Sequence, residues 1–136
     1  MATILAHIRV KPGCESSFEQ TAKAMFAASH GNEPALNRYE YWRSQQAGEY
    51  YCLLAFENFL GFMAHQSSPH HEAAAAPLMD DIADLRLEWI DPVQGASPLP
   101  TTRPQAVPAE ADELVRRYAE MIPVVTADWW SPLREP

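Results

Sequence analysis

The run EYYCLLAFE at positions 49–57 constrains this fold more than any other stretch of the chain, because it is apolar on both sides. An extended strand sends successive side chains to opposite faces, so Cys52, Leu54 and Phe56 point one way while Tyr51, Leu53 and Ala55 point the other. Neither set can face water without exposing a contiguous apolar patch. The sheet that contains this strand therefore needs a cover on each face.

The neighbouring patterns identify the first cover. Residues 3–10, TILAHIRV, alternate Ile4, Ala6, Ile8 and Val10 against Leu5, His7 and Arg9, which is the period of a strand. Lys11-Pro12-Gly13 then turns the chain. Residues 15–30 place Phe18, Ala22, Met25, Phe26 and Ser29 at helical spacing, with Ser16 and Glu19 expected to form a capping box. Asn32-Glu33-Pro34 stops that helix. ALNRYEYWR at 35–43 and EYYCLLAFE pair as an aromatic-rich hairpin around the polar loop SQQAG. A second helical region runs from about Phe59 to Ile82, broken at Ser67-Ser68-Pro69, and DLRLEWID at 84–91 closes the unit as a fourth strand. The order βαββαβ predicts an α+β, ferredoxin-like antiparallel sheet carrying two helices on one face. A second copy of the chain is the simplest cover for the other face, giving a homodimeric α/β barrel that encloses a cavity between each sheet and its partner.

Composition excludes several partners. With 18 acidic against 10 basic residues the net charge is −8, and Arg116-Arg117 is the largest basic cluster, so neither nucleic acid nor an anionic membrane is expected as a partner. No apolar run approaches the roughly 20 residues that span a bilayer, and MATILAHIRVKPG lacks the pattern of a signal peptide. Two cysteines, Cys14 at a turn and Cys52 in an apolar run, are too few for a disulfide framework, which predicts a reduced, cytoplasmic setting. The character of the chain changes near residue 92. Residues 1–92 read as the domain and 93–108 as an extended linker, since the stretch from Pro92 to Pro108 holds five of the twelve prolines. Residues 109–136 read as a helix and an aromatic tail. That helix presents Leu114, Val115, Tyr118, Met121 and Ile122 on one face, and ADWWSPL is expected to pack near the barrel mouth of its own or the partner subunit.

TILAHIRVKPG, then NEPALNRYEY, and above all FENFLGFMAHQSSPHHEA resemble the antibiotic biosynthesis monooxygenase (ABM) domain, and within it the small quinol monooxygenases. The resemblance covers roughly residues 3–92. It implies a dimeric α+β barrel and, as function, oxygenation of a small quinol or phenolic aromatic by molecular oxygen without metal, flavin or haem. In that chemistry the deprotonated substrate reduces oxygen itself, and the protein supplies a dry pocket, orienting groups and a base. Two departures stand beside the match. Phe56 occupies the place where oxygenating relatives often carry Trp, and Cys52 replaces a polar amide. The haem-degrading branch is disfavoured, because Ala73 and Ala74 stand where its haem ligand is expected.

The stretch HQSSPHHE, 65–72, holds three of the five histidines. As a metal site it offers His65, His70, His71 and Glu72, but the helical two-histidine signature needs spacing i and i+4, and here the spacing is five across Pro69. No metal is therefore expected. The local pattern instead restarts a helix, with Ser68 as N-cap, Pro69 at the first helical position and Glu72 in the first turn. His65 and His70 either pack and hydrogen-bond or reach the cavity mouth as the base that takes a phenol's proton. Phe56, Phe62, Trp42, Tyr39, His7 and Arg86 are the candidate substrate contacts, the aromatics for a planar ring. Arg86 and Glu88 share one strand face. Cys52 reads as an inert buried thiol. No phosphate loop and no G-x-S-x-G is present. Two functions remain open: a cofactor-independent monooxygenase, or a non-catalytic module binding a small apolar ligand or a partner in the same cavity.

Overall fold

Alternation of Ile4, Ala6 and Ile8 with Leu5 and His7 forms strand β1, Ala2–Val10, which pairs on both edges and so lies inside a sheet. The computed structural model describes residues 1–134. Its elements run β1, α1 (Glu15–Asn32), β2 (Leu36–Arg43), β3 (Glu49–Phe56), α2 (Phe59–Gln66), α3 (Pro69–Asp81), β4 (Ile82–Trp89), α4 (Glu113–Met121) and a 3-10 turn at Asp128–Leu133. The four strands form one antiparallel sheet in the order β2-β3-β1-β4, the expected ferredoxin-like arrangement. Among the described residues no helix is long and apolar enough to cross a membrane.

The two faces of the sheet differ. Ile4, Ala6 and Ile8 of β1 and Tyr50, Cys52, Leu54 and Phe56 of β3 are buried together with Phe18, Ala22 and Met25 of α1 and Phe59, Phe62 and Met63 of α2. On the opposite face the register aligns Glu40, Leu53, Leu5 and Glu88 in one row and Trp42, Tyr51, His7 and Arg86 in the next. Tyr51 and Trp42 are exposed there.

Caps explain most of the helix boundaries. The Asn58 side chain accepts from Gly61 N–H at the start of α2, and Ser68 accepts from His71 N–H at the start of α3, whose first residue is Pro69. The Ser16–Glu19 box does not form. The helix starts at Glu15 with Cys14 as an uncapped N-cap, and Glu19 is drawn instead to Arg43, whose Nε and Nη2 donate to its two oxygens at 2.6 and 2.7 Å. A bidentate guanidinium outcompetes a single backbone N–H.

The proline-rich segment after residue 92 is pinned rather than loose. Thr102 is fully buried, donating its hydroxyl to the Ile90 carbonyl at 2.6 Å and its N–H to Asp91 at 2.9 Å. Arg103 N–H donates to the Met1 carbonyl, and the Gln105 side chain accepts from Leu60 N–H. These bonds deliver α4 to α2 of the same chain, where Val115, Tyr118, Ala119 and Ile122 pack on the core. Met121, expected on that face, is exposed. In the tail, Trp129 is exposed while Trp130 lies 5.7 Å from the Arg134 guanidinium, which clamps Asp91 through two bonds of 2.8 Å.

Candidate functional site

Three elements end at one carboxylate. Glu33 is the C-cap of α1, its N–H bonded to Ser29 O; the following Pro34 keeps Glu33 extended and ends the helix. Its side chain meets His65 from the last turn of α2 and His70 from the first turn of α3: His65 Nδ1 lies 2.9 Å, and His70 Nε2 2.5 Å, from Oε1. The helix break at Ser67-Ser68, where the two hydroxyls donate to the Met63 and His65 carbonyls, separates the two imidazoles onto α2 and α3, from which both reach one point. Burial pushes the Glu33 carboxyl up, but the hydrogen bonds from His65, His70 and Ser29 outweigh it and hold the group below the usual carboxylate range.

His65 is 1% exposed, its ring against Tyr39 at 5.0 Å, Phe56 at 5.3 Å and His71 at 5.1 Å between centroids. His71 belongs to a different role. Burial, with the neighbouring His65 adding to it, pulls its imidazole down to about 4, and its buried Nδ1 has no hydrogen-bond partner. Beyond Tyr39 stands Tyr41, the two hydroxyls 2.7 Å apart. Burial drives both phenols far up, so both remain neutral hydroxyls, and it does the same to the Cys52 thiol.

Tyr41 also lines a groove of about 550 Å3 between α1 and the edge strand β2, walled by Phe18, Ala22 and Phe26 of α1 and by Tyr41 of β2, with Trp42 at its border. Its rim carries the Glu19–Arg43 pair, where Arg43 and the Tyr50 hydroxyl hold the Glu19 carboxyl at about 2. The groove is roomy enough for a small aromatic molecule. Neither His65 nor His70 lines it; Tyr41 and Tyr39 stand between.

The residues singled out from sequence thus separate into three places. His65, His70, Tyr39, Phe56 and Phe62 converge on the helix side of the sheet, with the Phe56 and Phe62 rings 5.6 Å apart. Trp42 borders the groove. His7 and Arg86 lie on the opposite face, both bonded to Glu88 Oε2 at 2.8 and 3.3 Å, so they share a site with each other but not with His65. Sequence reasoning missed Glu33, taken only as part of a helix stop, and missed Phe18 and Phe26 as groove walls. One signal was present: an acidic residue at a helix C-terminus opposes the helix dipole and needs another reason to be there.

The sequence model of the antibiotic biosynthesis monooxygenase family matches residues 1–77. Comparison by sequence with curated proteins gives no match. Among solved structures, a Caulobacter crescentus protein provisionally assigned to the antibiotic biosynthesis monooxygenases is 24% identical, with a TM-score of 0.65 over 68% of this chain and 90% of its own. Rv0793 of Mycobacterium tuberculosis is 18% identical, with a TM-score of 0.64 over 71% of this chain and 98% of its own. PA3566 of Pseudomonas aeruginosa is 17% identical, with a TM-score of 0.61 over 65% and 90%. At these identities the likeness is one of fold.

Proposed function

The chain belongs to the antibiotic biosynthesis monooxygenase family, and from that premise we propose that it is a monooxygenase that oxidises a small quinol or phenolic aromatic with molecular oxygen and without a bound cofactor. The active form is a homodimer joined sheet to sheet, residues 1–92 carry the chemistry, and residues 93–136 brace it. The observation that carries the reading is the Glu33–His65–His70 cluster, a half-buried carboxylate holding two imidazoles, one of them packed against the ring of Tyr39. A quinol brings its own two electrons: quinol and O2 give a hydroxyquinone and water, so no external reductant enters. What the protein must supply is a base to form the electron-rich anion, and an apolar enclosure in which that anion meets oxygen. His65 or His70 takes the proton, and Glu33 orients the ring and stabilises its charged form. The aromatic lining of the groove, Phe18, Phe26 and Trp42, binds the planar ring, and the substrate's proton passes by way of the Tyr41 and Tyr39 hydroxyls, 2.7 Å apart, toward His65, whose ring packs on Tyr39.

A second reading, a binding module without catalysis, is favoured by one feature: the groove itself contains neither histidine. Chelator-treated full-length protein incubated with a panel of hydroquinones, aerobically and anaerobically, separates the two. Oxygen uptake with a product gaining one oxygen supports the monooxygenase. Saturable quenching of Trp42 fluorescence with no oxygen uptake across the panel overturns it in favour of the binding module.

A further inference from the structure

We propose that Glu33, His65 and His70 form a binding site for one divalent transition-metal ion of the zinc class. Two imidazole nitrogens and a carboxylate are a donor set suited to Zn2+, Co2+ or Fe2+ and poorly suited to Mg2+ or Ca2+. Among the described residues these three are the group whose candidate ligand atoms, one from each, all lie within 4.8 Å of one another. Ligands at the usual distance from one ion of this class stand roughly 3 to 3.5 Å apart. His65 Nδ1 and His70 Nε2, at 2.9 and 2.5 Å from Glu33 Oε1, need only small side-chain rotations to admit an ion between them.

The surroundings favour a defined site over a chance cluster. The His65 ring is held between Tyr39, Phe56 and His71, so its orientation costs little to keep. Ser29 Oγ, fully buried and 3.4 Å from His70 Nε2, can offer a further oxygen. The His70 side chain, 19% exposed against 2% for His65, marks the way in and leaves a position for water. The spacing argument against a metal applies to an unbroken helix. Here the break at Ser67-Ser68 turns a five-residue spacing into convergence, and the third ligand comes from a distant helix end.

The test needs no substrate, and its failure is therefore separable from failure of the oxidation itself. Chelator-treated full-length protein is titrated with Co2+, followed by visible absorption and calorimetry. One ion per chain with the intense d–d bands of a site below six-coordinate is expected, with binding weakened by more than the roughly 10–100-fold typical of losing an outer-shell partner in His70→Ala and in Glu33→Gln. His30→Ala, at an exposed ring bonded to the Phe26 carbonyl, should leave binding unchanged. Absence of binding by the wild-type chain overturns the proposal whatever the variants do. So does binding that survives both ligand substitutions, or that is lost with His30→Ala.

Discussion

His65 Nδ1 lies 2.9 Å from the Oε1 of Glu33, a residue 32 positions earlier, and the imidazole is almost completely withdrawn from solvent. The pair ties the last turn of α2 to the end of α1. Glu33→Ala strands the His65 donor in a buried site and should destabilise the fold by about 1–3 kcal/mol, whereas Glu33→Gln keeps an acceptor and should cost less. Urea unfolding of the two variants checks the order; equal losses would mean that the bond carries none of the stability.

His70 reaches the same oxygen from a more open position. On any substrate the protein turns over, His70→Ala or His65→Ala should lower kcat on the order of 100-fold or more, the usual range for a lost general base. If both folded variants keep the wild-type rate and pH profile, the histidines are structural.

Asp91 sets the acid limit of tail docking. Burial pushes its carboxyl up, but the Arg134 guanidinium and the Thr102 N–H outweigh burial and hold it below the usual range. A depressed carboxylate contributes stability above its unfolded value of about 3.9, and that contribution is lost as pH falls through the lower folded value. Fluorescence of Trp130, which packs beside Arg134, should therefore report release of the tail only under strong acid. Asp91→Asn should remove that step and loosen the tail already at neutral pH.

Gly61 is placed by contact rather than by backbone angle. A Cβ there would come within 2.8 Å of the Ala35 Cβ and 3.4 Å of the Phe56 Cβ, at the crossing of α2 over the β2 entry. Gly61→Ala gains helix propensity but overpacks, and should be net destabilising by about 1–3 kcal/mol. A rise in thermal midpoint would show that the crossing relaxes freely.

The exposed sheet face carries Leu5 and Leu53 side by side, with Tyr51 and Trp42 in the next row. Sedimentation at micromolar concentration should find a dimer burying more than the roughly 1,000 Å2 expected of a specific interface. Leu53→Glu, set opposite Glu40 and in the same row as Glu88 two strands away, should shift it to monomer. A wild-type chain that sediments as a folded monomer removes the basis for the barrel.

Element order was legible because periodicity is local. Ile4-Ala6-Ile8 repeats at two residues and Phe18-Ala22-Met25-Ser29 at about 3.6, and each stretch records which of its faces is buried. The restart at Ser68-Pro69 was legible for the same reason, since a cap and the first turn it caps are neighbours in sequence. The sequence by itself determined the strands, the helices and the break between α2 and α3. Only the tertiary structure decided that Glu33 meets His65 and His70, that Phe18 and Tyr41 line one groove, and that α4 returns to α2 of its own chain. Those contacts join positions that no local pattern spans; they depend on how packed helices and strands cross, which the volumes of Phe56, Gly61 and Ala35 settle only once the core has closed.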